Sequence, residues 1–174
     1  MNIADYLLSP EIFEQSIIET TDIPFSSEVI SMCEANRCGK YGTCWTCPPG
    51  VGKMSELESR IKEFKKACVF TCKYTLEDSF DLEGMIEAKE KTKRTLNDII
   101  ERLSADNVNF MALGCSGCTI CEKCTYPEAP CRYPNKAIPS VEACGIYVPD
   151  LAKTAGINYI NGANTITYFC MILF

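Results

Sequence analysis

Cysteines recur at a strict C-x2-C interval through Cys115, Cys118, Cys121 and Cys124, and Cys131 follows with Pro134 close behind. A chain with thiols at this density cannot bury them all in a core, because the short polar spacers and Gly114 and Gly117 favour a tight loop. Such a loop wraps its thiolates around a compact inorganic centre, one thiolate to each metal corner. Short C-x2-C steps with one more distant cysteine are the ligand pattern of a 4Fe–4S cluster. A zinc ribbon instead separates two C-x2-C knuckles by a long loop. The expected quartet is Cys118, Cys121, Cys124 and Cys131, with Cys115 a spare or a substitute. A zinc site or a redox disulfide pair is the alternative.

Of 174 residues, thirteen are cysteine and none is histidine. The missing imidazole excludes Ser-His-Asp and Cys-His catalysis, Cys2His2 zinc fingers and Rieske-type ligation. A formal net charge of −6 argues against nucleic acid as a partner, since such proteins carry a basic footprint. No apolar stretch is long enough to span a membrane. The beginning, Met1-Asn2-Ile3-Ala4-Asp5, lacks the basic segment of a secretory signal. With an odd cysteine count, this predicts a reducing cytoplasm rather than a disulfide scaffold.

The length fits a single metal-binding domain over 1–174. Its expected parts are a helical segment 1–32, a cysteine loop 33–50, a ferredoxin-like cysteine loop 115–134, and an α/β core from 55–114 and 149–174. Ser9-Pro10-Glu11 reads as the start of a helix over 10–19 with Ile12, Phe13 and Ile17 inward. Ser26 or Ser27 caps a short helix carrying Val29, Ile30 and Cys33. Ser55 and Glu58 match a capping box, predicting a helix over 56–66. Residues 67–76 read as a strand with Cys68, Phe70, Cys72 and Tyr74 on one face. A long helix is expected over 82–103, using Leu82, Met85 or Ile86, Leu96, Ile99, Ile100 and Leu103. A strand over 108–113 then enters the cysteine run. One helical turn near 139–143, a helix over 149–155 stopped by Gly156 and a strand from Thr165 to Phe174 complete the chain. The fold class is α/β or α+β, a sheet of three to five strands layered with helices, with the cysteine loops at its edge.

The segment from Cys33 to Gly50 is a second candidate site. Cys33, Cys38 and Cys47 are the expected ligands, and Cys44 is a possible fourth. Four thiolates would close a second cluster or a structural zinc; three would leave a metal position open, as catalysis requires. Some of these are alternatively buried thiols. Cys68, Cys72, Cys144 and Cys170 read as packing residues. Gly50-Val51-Gly52-Lys53 is no phosphate loop, because Cys47 and Met54 stand where that motif needs Gly and Ser or Thr. Lys89, Lys91, Lys93 and Arg94 read as a solvated helix face, with docking of an acidic redox partner as the alternative. Arg37, Lys40, Lys123 and Arg132 flank the loops and would tune a cluster or bind an anion.

Taken together, Cys118-x2-Cys121-x2-Cys124-x6-Cys131-Arg132-x-Pro134 and Pro139-Ser140-x-Glu142-Ala143-x-Gly145-Ile146 resemble a cysteine-rich family of predicted metal-binding proteins from anaerobic microbes. Cys33-x4-Cys38-Gly39, Trp45-x-Cys47-Pro48-Pro49 and Asn164-Thr165-Ile166-Thr167-Tyr168 are similar to its other motifs. The resemblance covers most of the chain from Cys33 onward, with Cys44 and Cys115 as departures. It implies metal binding, iron–sulfur in type, and brings no assigned reaction.

The expected function is therefore that of an iron–sulfur protein with one or two 4Fe–4S clusters, serving electron transfer or a redox accessory role with a redox partner protein. The rival is an enzyme whose open iron–sulfur site performs sulfur transfer, desulfuration or dehydration, with Tyr41, Glu34 and Lys40 as proton donors. A structural zinc protein is the third reading.

Overall fold

A computed structural model describes residues 2–174 and shows an α+β fold built on one antiparallel sheet. The elements run β1 (Glu14–Glu19), α1 (Ser27–Glu34), α2 (Met54–Ile61), β2 (Lys66–Thr75), α3 (Leu82–Ala105), β3 (Met111–Leu113), α4 (Val148–Ala155) and β4 (Thr165–Leu173), and the strand order is β1-β2-β4-β3. β2 and β4 form the centre, aligned with Phe70 opposite Cys170 and Cys68 opposite Ile172.

Both faces of this central pair are covered. On one face Cys68, Phe70 and Cys72 of β2 meet Cys170 and Ile172 of β4 under Leu96, Ile99 and Leu103 of α3. On the other, Val69, Met171 and Leu173 pack against Leu57 and Ile61 of α2 and Leu151 and Ala152 of α4. That two-sided burial explains the near-continuous apolar runs in these strands, where a half-solvated sheet would show alternation. The period-two face of Cys68, Phe70, Cys72 and Tyr74 lies on the α3 side as the sequence predicts.

Several expected boundaries are corrected. Residues 14–19 form the edge strand β1, not part of a helix over 10–19, and pair with β2 from Glu14 opposite Thr71 to Glu19 opposite Lys66. Adjacent β-branched Ile17 and Ile18 favour a pleated strand, and β2 offers an unpaired edge to satisfy the backbone. Ser9 and Pro10 only turn the chain, with the Ile12 amide donating to the Ser9 carbonyl at 3.1 Å. α2 begins two residues early and ends at Ile61. Gly52 at φ +107° swings the chain into an extended Lys53, whose amide, not that of Ser55, donates to the Glu56 carboxylate at 3.5 Å.

Within α3, Ala88, Thr92, Thr95, Leu96, Ile99 and Leu103 face inward, whereas Leu82 and Ile86 are exposed. The buried stripe thus includes two threonines that sequence hydrophobicity overlooks. Their hydroxyls donate back to the Ala88 and Lys91 carbonyls, so the burial leaves no orphan. β3 is shorter than expected, but it delivers the chain to the cysteine run at the sheet edge. Among the described residues, no helix is long and apolar enough to cross a membrane.

Candidate metal centre

Two irregular segments carry the candidate ligands, and each is shaped by its own backbone chemistry. The first leaves the last turn of α1, where Cys33 sits, so Cys33 is helical rather than part of a loop. Asn36, Gly39 and Gly42 then adopt left-handed backbone. Asn and Gly tolerate that region best, and here they fold the segment on itself. The Asn36 side-chain oxygen accepts the Tyr41 amide at 3.0 Å, and the Gly42 amide donates to the Pro48 carbonyl at 2.9 Å.

The second segment leaves the sheet at Gly114 and returns at Ser140. Its base is closed where the Gly114 amide donates to the Pro139 carbonyl (2.8 Å) and the Val141 amide to the Gly114 carbonyl (2.9 Å). Inside it, the Arg132 guanidinium donates to the Lys123 carbonyl at 3.0 Å, tying Cys124 and Cys131 into one turn. Arg132 is thus a brace for the loop.

The two segments clasp one another. The Trp45 indole N–H donates to the Ala129 carbonyl at 3.0 Å, and its ring meets Tyr126 edge-on with centroids 4.9 Å apart. The Cys118 amide donates to the hydroxyl of buried Thr46 at 3.2 Å. Glycines permit the approach. A Cβ on Gly50 would lie 2.6 Å from the Cys44 carbonyl oxygen and 2.8 Å from the Tyr126 ring, and one on Gly117 would lie 3.1 Å from Cys47 Sγ.

Within this clasp Cys118, Cys121, Cys124 and Cys131 line one cavity of ≈ 20 Å³, and Cys44 from the first segment joins its wall. Cys47 adjoins: the Cys44 thiol is its strongest electrostatic neighbour, and the charges of Cys38 and Cys33 also bear on it. The pair is polarised. The Cys47 thiol is the largest influence lowering the Cys44 thiol, to about 5, with Thr46 and the charge of Lys40 contributing. The same pairing, then burial, pushes Cys47 upward. Burial similarly raises Cys118 and Cys33. A stretch of neighbouring thiols therefore runs from Cys33 and Cys38 through Cys47 and Cys44 to the Cys118–Cys131 cavity.

Cys115 does not face this cavity. It packs against the buried cluster that contains Cys170, which is itself fully buried. Cys68, Cys72 and Cys144 are buried in the cores, where desolvation raises their thiols to about 12, 11 and 12. Among the described residues, no three Cys, Asp or Glu side chains are gathered tightly enough to hold a single metal ion.

Sequence reasoning did not foresee the clasp, because Trp45, Thr46, Tyr126 and Ala129 carry no ligand signature. It also places Lys93 in solvent, whereas the Lys93 ammonium pairs with Glu90 at 3.0 Å and donates to the Thr119 hydroxyl of the cysteine segment. Glu142 was met only as part of a motif. Its exposed carboxylate bears on both Cys33 and Cys115.

Residues 16–174 match the model of a family described as "Predicted metal-binding protein (DUF2284)". The chain belongs to this family. The family match spans both cysteine segments and all of the sheet but the first two residues of β1, so the clasp is part of the family domain and no appendage. No curated protein and no solved structure matches the chain.

The residues suit the metal centre that the family description implies in donor chemistry. Soft thiolates without imidazole favour iron–sulfur or zinc over hard cations. The cavity as it stands has about the room of one water molecule, so a polynuclear centre requires the loop between Cys118 and Cys131 to open. That segment carries no helix or strand to resist opening.

Proposed function

We propose that this is an iron–sulfur protein of the cytoplasm that passes electrons to or from a redox partner protein. The observation that carries the reading is the lining of one cavity by Cys118, Cys121, Cys124 and Cys131, three cysteines at C-x2-C spacing and the more distant fourth. These four would hold a 4Fe–4S cluster, and Cys33, Cys38 and Cys47 a second metal centre. Bound there, such a cluster supplies one-electron redox chemistry over roughly −700 to +450 mV.

The chain's own residues support that role. Cys44 adjoins Cys47 of one set and lines the cavity of the other, so the centres would be neighbours rather than isolated structural sites. Trp45 and Tyr126 cover the contact between the segments and limit the access of water. Arg132 and Lys93 hold the second segment through hydrogen bonds, and both place positive charge near anionic thiolates.

A second reading is favoured by one observation. Cys44 lies in the wall of the other cavity, leaving Cys33, Cys38 and Cys47 as a three-thiol set with Glu142 close to Cys33. Three thiolates leave a metal position for substrate, which fits sulfur transfer or dehydration with Glu142 holding a proton.

Reductive titration of the anaerobic protein with dithionite tests the proposal. Reversible electron uptake with a paramagnetic signal is expected, and a protein that takes up no electrons contradicts it. In Cys44→Ala the metal at Cys33, Cys38 and Cys47 should remain; loss of that metal would show a closed four-thiolate set and exclude the second reading. A shifted paramagnetic signal on adding a small thiol or carboxylate would favour it.

A further inference from the structure

We propose that Cys115 and Cys170 form a redox-active dithiol that reduces small organic disulfides entering the groove beside β3. The inference does not depend on which metal the loops hold.

Three observations converge. First, Cys115 packs against the buried cluster that contains Cys170, and each thiol perturbs the other. Leu113 is opposite Met171 in the β3–β4 pairing, so Gly114 follows in register with Cys170 and Cys115 is the next residue along. Second, the pair is asymmetric. Cys170 is fully buried, whereas Cys115 is partly exposed and lines a groove of ≈ 1680 Å³ between α3, β3 and the second cysteine segment. Third, the groove combines apolar walls at Ile100, Phe110 and Ile138 with the polar groups of Arg94 and Asn97, a composition suited to small organic ligands.

An accessible attacking thiol backed by a buried resolving thiol is what disulfide exchange requires. The Cys170 thiol, helped by the charge of Lys93, lowers the Cys115 thiol and favours its thiolate. The Cys115 sulfur attacks one sulfur of the substrate disulfide, forming a mixed disulfide and expelling the other half as a thiolate that takes up a proton. Cys170 then loses its proton and attacks the Cys115 sulfur. The intramolecular disulfide forms and the second half leaves as a thiol. Two electrons pass from the dithiol to the substrate, and a dithiol reductant resets the pair by the reverse exchange.

The test uses the anaerobic, metal-loaded protein with oxidised glutathione as probe, reading glutathione release and tryptic linkage by mass spectrometry while metal content is measured in parallel. Wild type should release two glutathiones per chain and acquire a Cys115–Cys170 linkage with no loss of metal. Cys170→Ala should release one and retain the other on Cys115, and Cys115→Ala should release none. The proposal is overturned if wild type forms no such linkage, links Cys115 to Cys72 instead, or keeps glutathione on Cys115 as persistently as Cys170→Ala does. If Cys170→Ala fails to fold, the wild-type linkage map alone decides.

Discussion

The cysteines of the central strands and the cysteines of the clasp are the same residue put to opposite uses. In β2 and β4 the backbone is held by a nine-residue ladder between the two strands, and Cys68 and Cys72 fill apolar volume as small hydrophobes. Desolvation keeps them protonated, with their thiols raised to about 12 and 11. In the clasp no ladder exists. The backbone is held instead by single contacts such as Trp45 to Ala129 and Cys118 to Thr46, and Cys44 is drawn down to about 5 chiefly by the Cys47 thiol. Burial raises Cys47 and Cys118 in the clasp as well, so backbone setting, an irregular segment rather than a ladder, separates candidate ligand from packing more than thiol acidity does.

The sharpest way to break this contrast is to exchange a residue in each region. Cys121→Ser should abolish metal at the second segment and destabilise the clasp, since binding and folding are coupled in such sites. Cys68→Ala should keep full metal content. Equal metal loss in both variants, measured by elemental analysis, would erase the distinction.

Gly50→Ala attacks the clasp without touching a thiol. The added methyl would overlap the Cys44 carbonyl and the Tyr126 ring, and overpacking of this kind costs about 1–3 kcal/mol. Denaturant melts should show that loss, with accelerated proteolysis between Cys118 and Cys131.

A third prediction uses pH. Cys68 and Cys144 ionise near 9.0 when unfolded and near about 12 when folded. Below pH 9 both states keep the proton and stability is unaffected; between pH 9 and 12 only the unfolded chain releases it, so stability falls as pH rises. Cys68→Ala should flatten that decline, and a slope unchanged from wild type would contradict the burial argument. The smallest expected effect belongs to Trp45→Phe, which removes one indole hydrogen bond and should cost about 1 kcal/mol while leaving metal content intact.

Much of the sheet was legible because its residues repeat with a period: β2, α3, α4 and β4 all lie close to the expected ranges. The edge strand β1 was not legible. Its pairing depends on a partner 47 to 57 residues away, and the Ser9-Pro10-Glu11 signal is equally compatible with a turn. That Cys118, Cys121, Cys124 and Cys131 would share one cavity was readable from their spacing, and the burial of Cys68 and Cys72 followed from strand periodicity. The attachment of Cys115 to Cys170 was not, because it joins a loop to a strand through tertiary contact alone. Nor does sequence order reveal that Cys44 and Cys118, far apart in the chain, share one cavity wall.

The central claim is that the clasp holds iron–sulfur chemistry, and counting atoms tests it most directly. Protein purified without oxygen should be brown and contain about four irons and four labile sulfides per occupied centre. Stoichiometric zinc without labile sulfide in the same preparation would contradict the account.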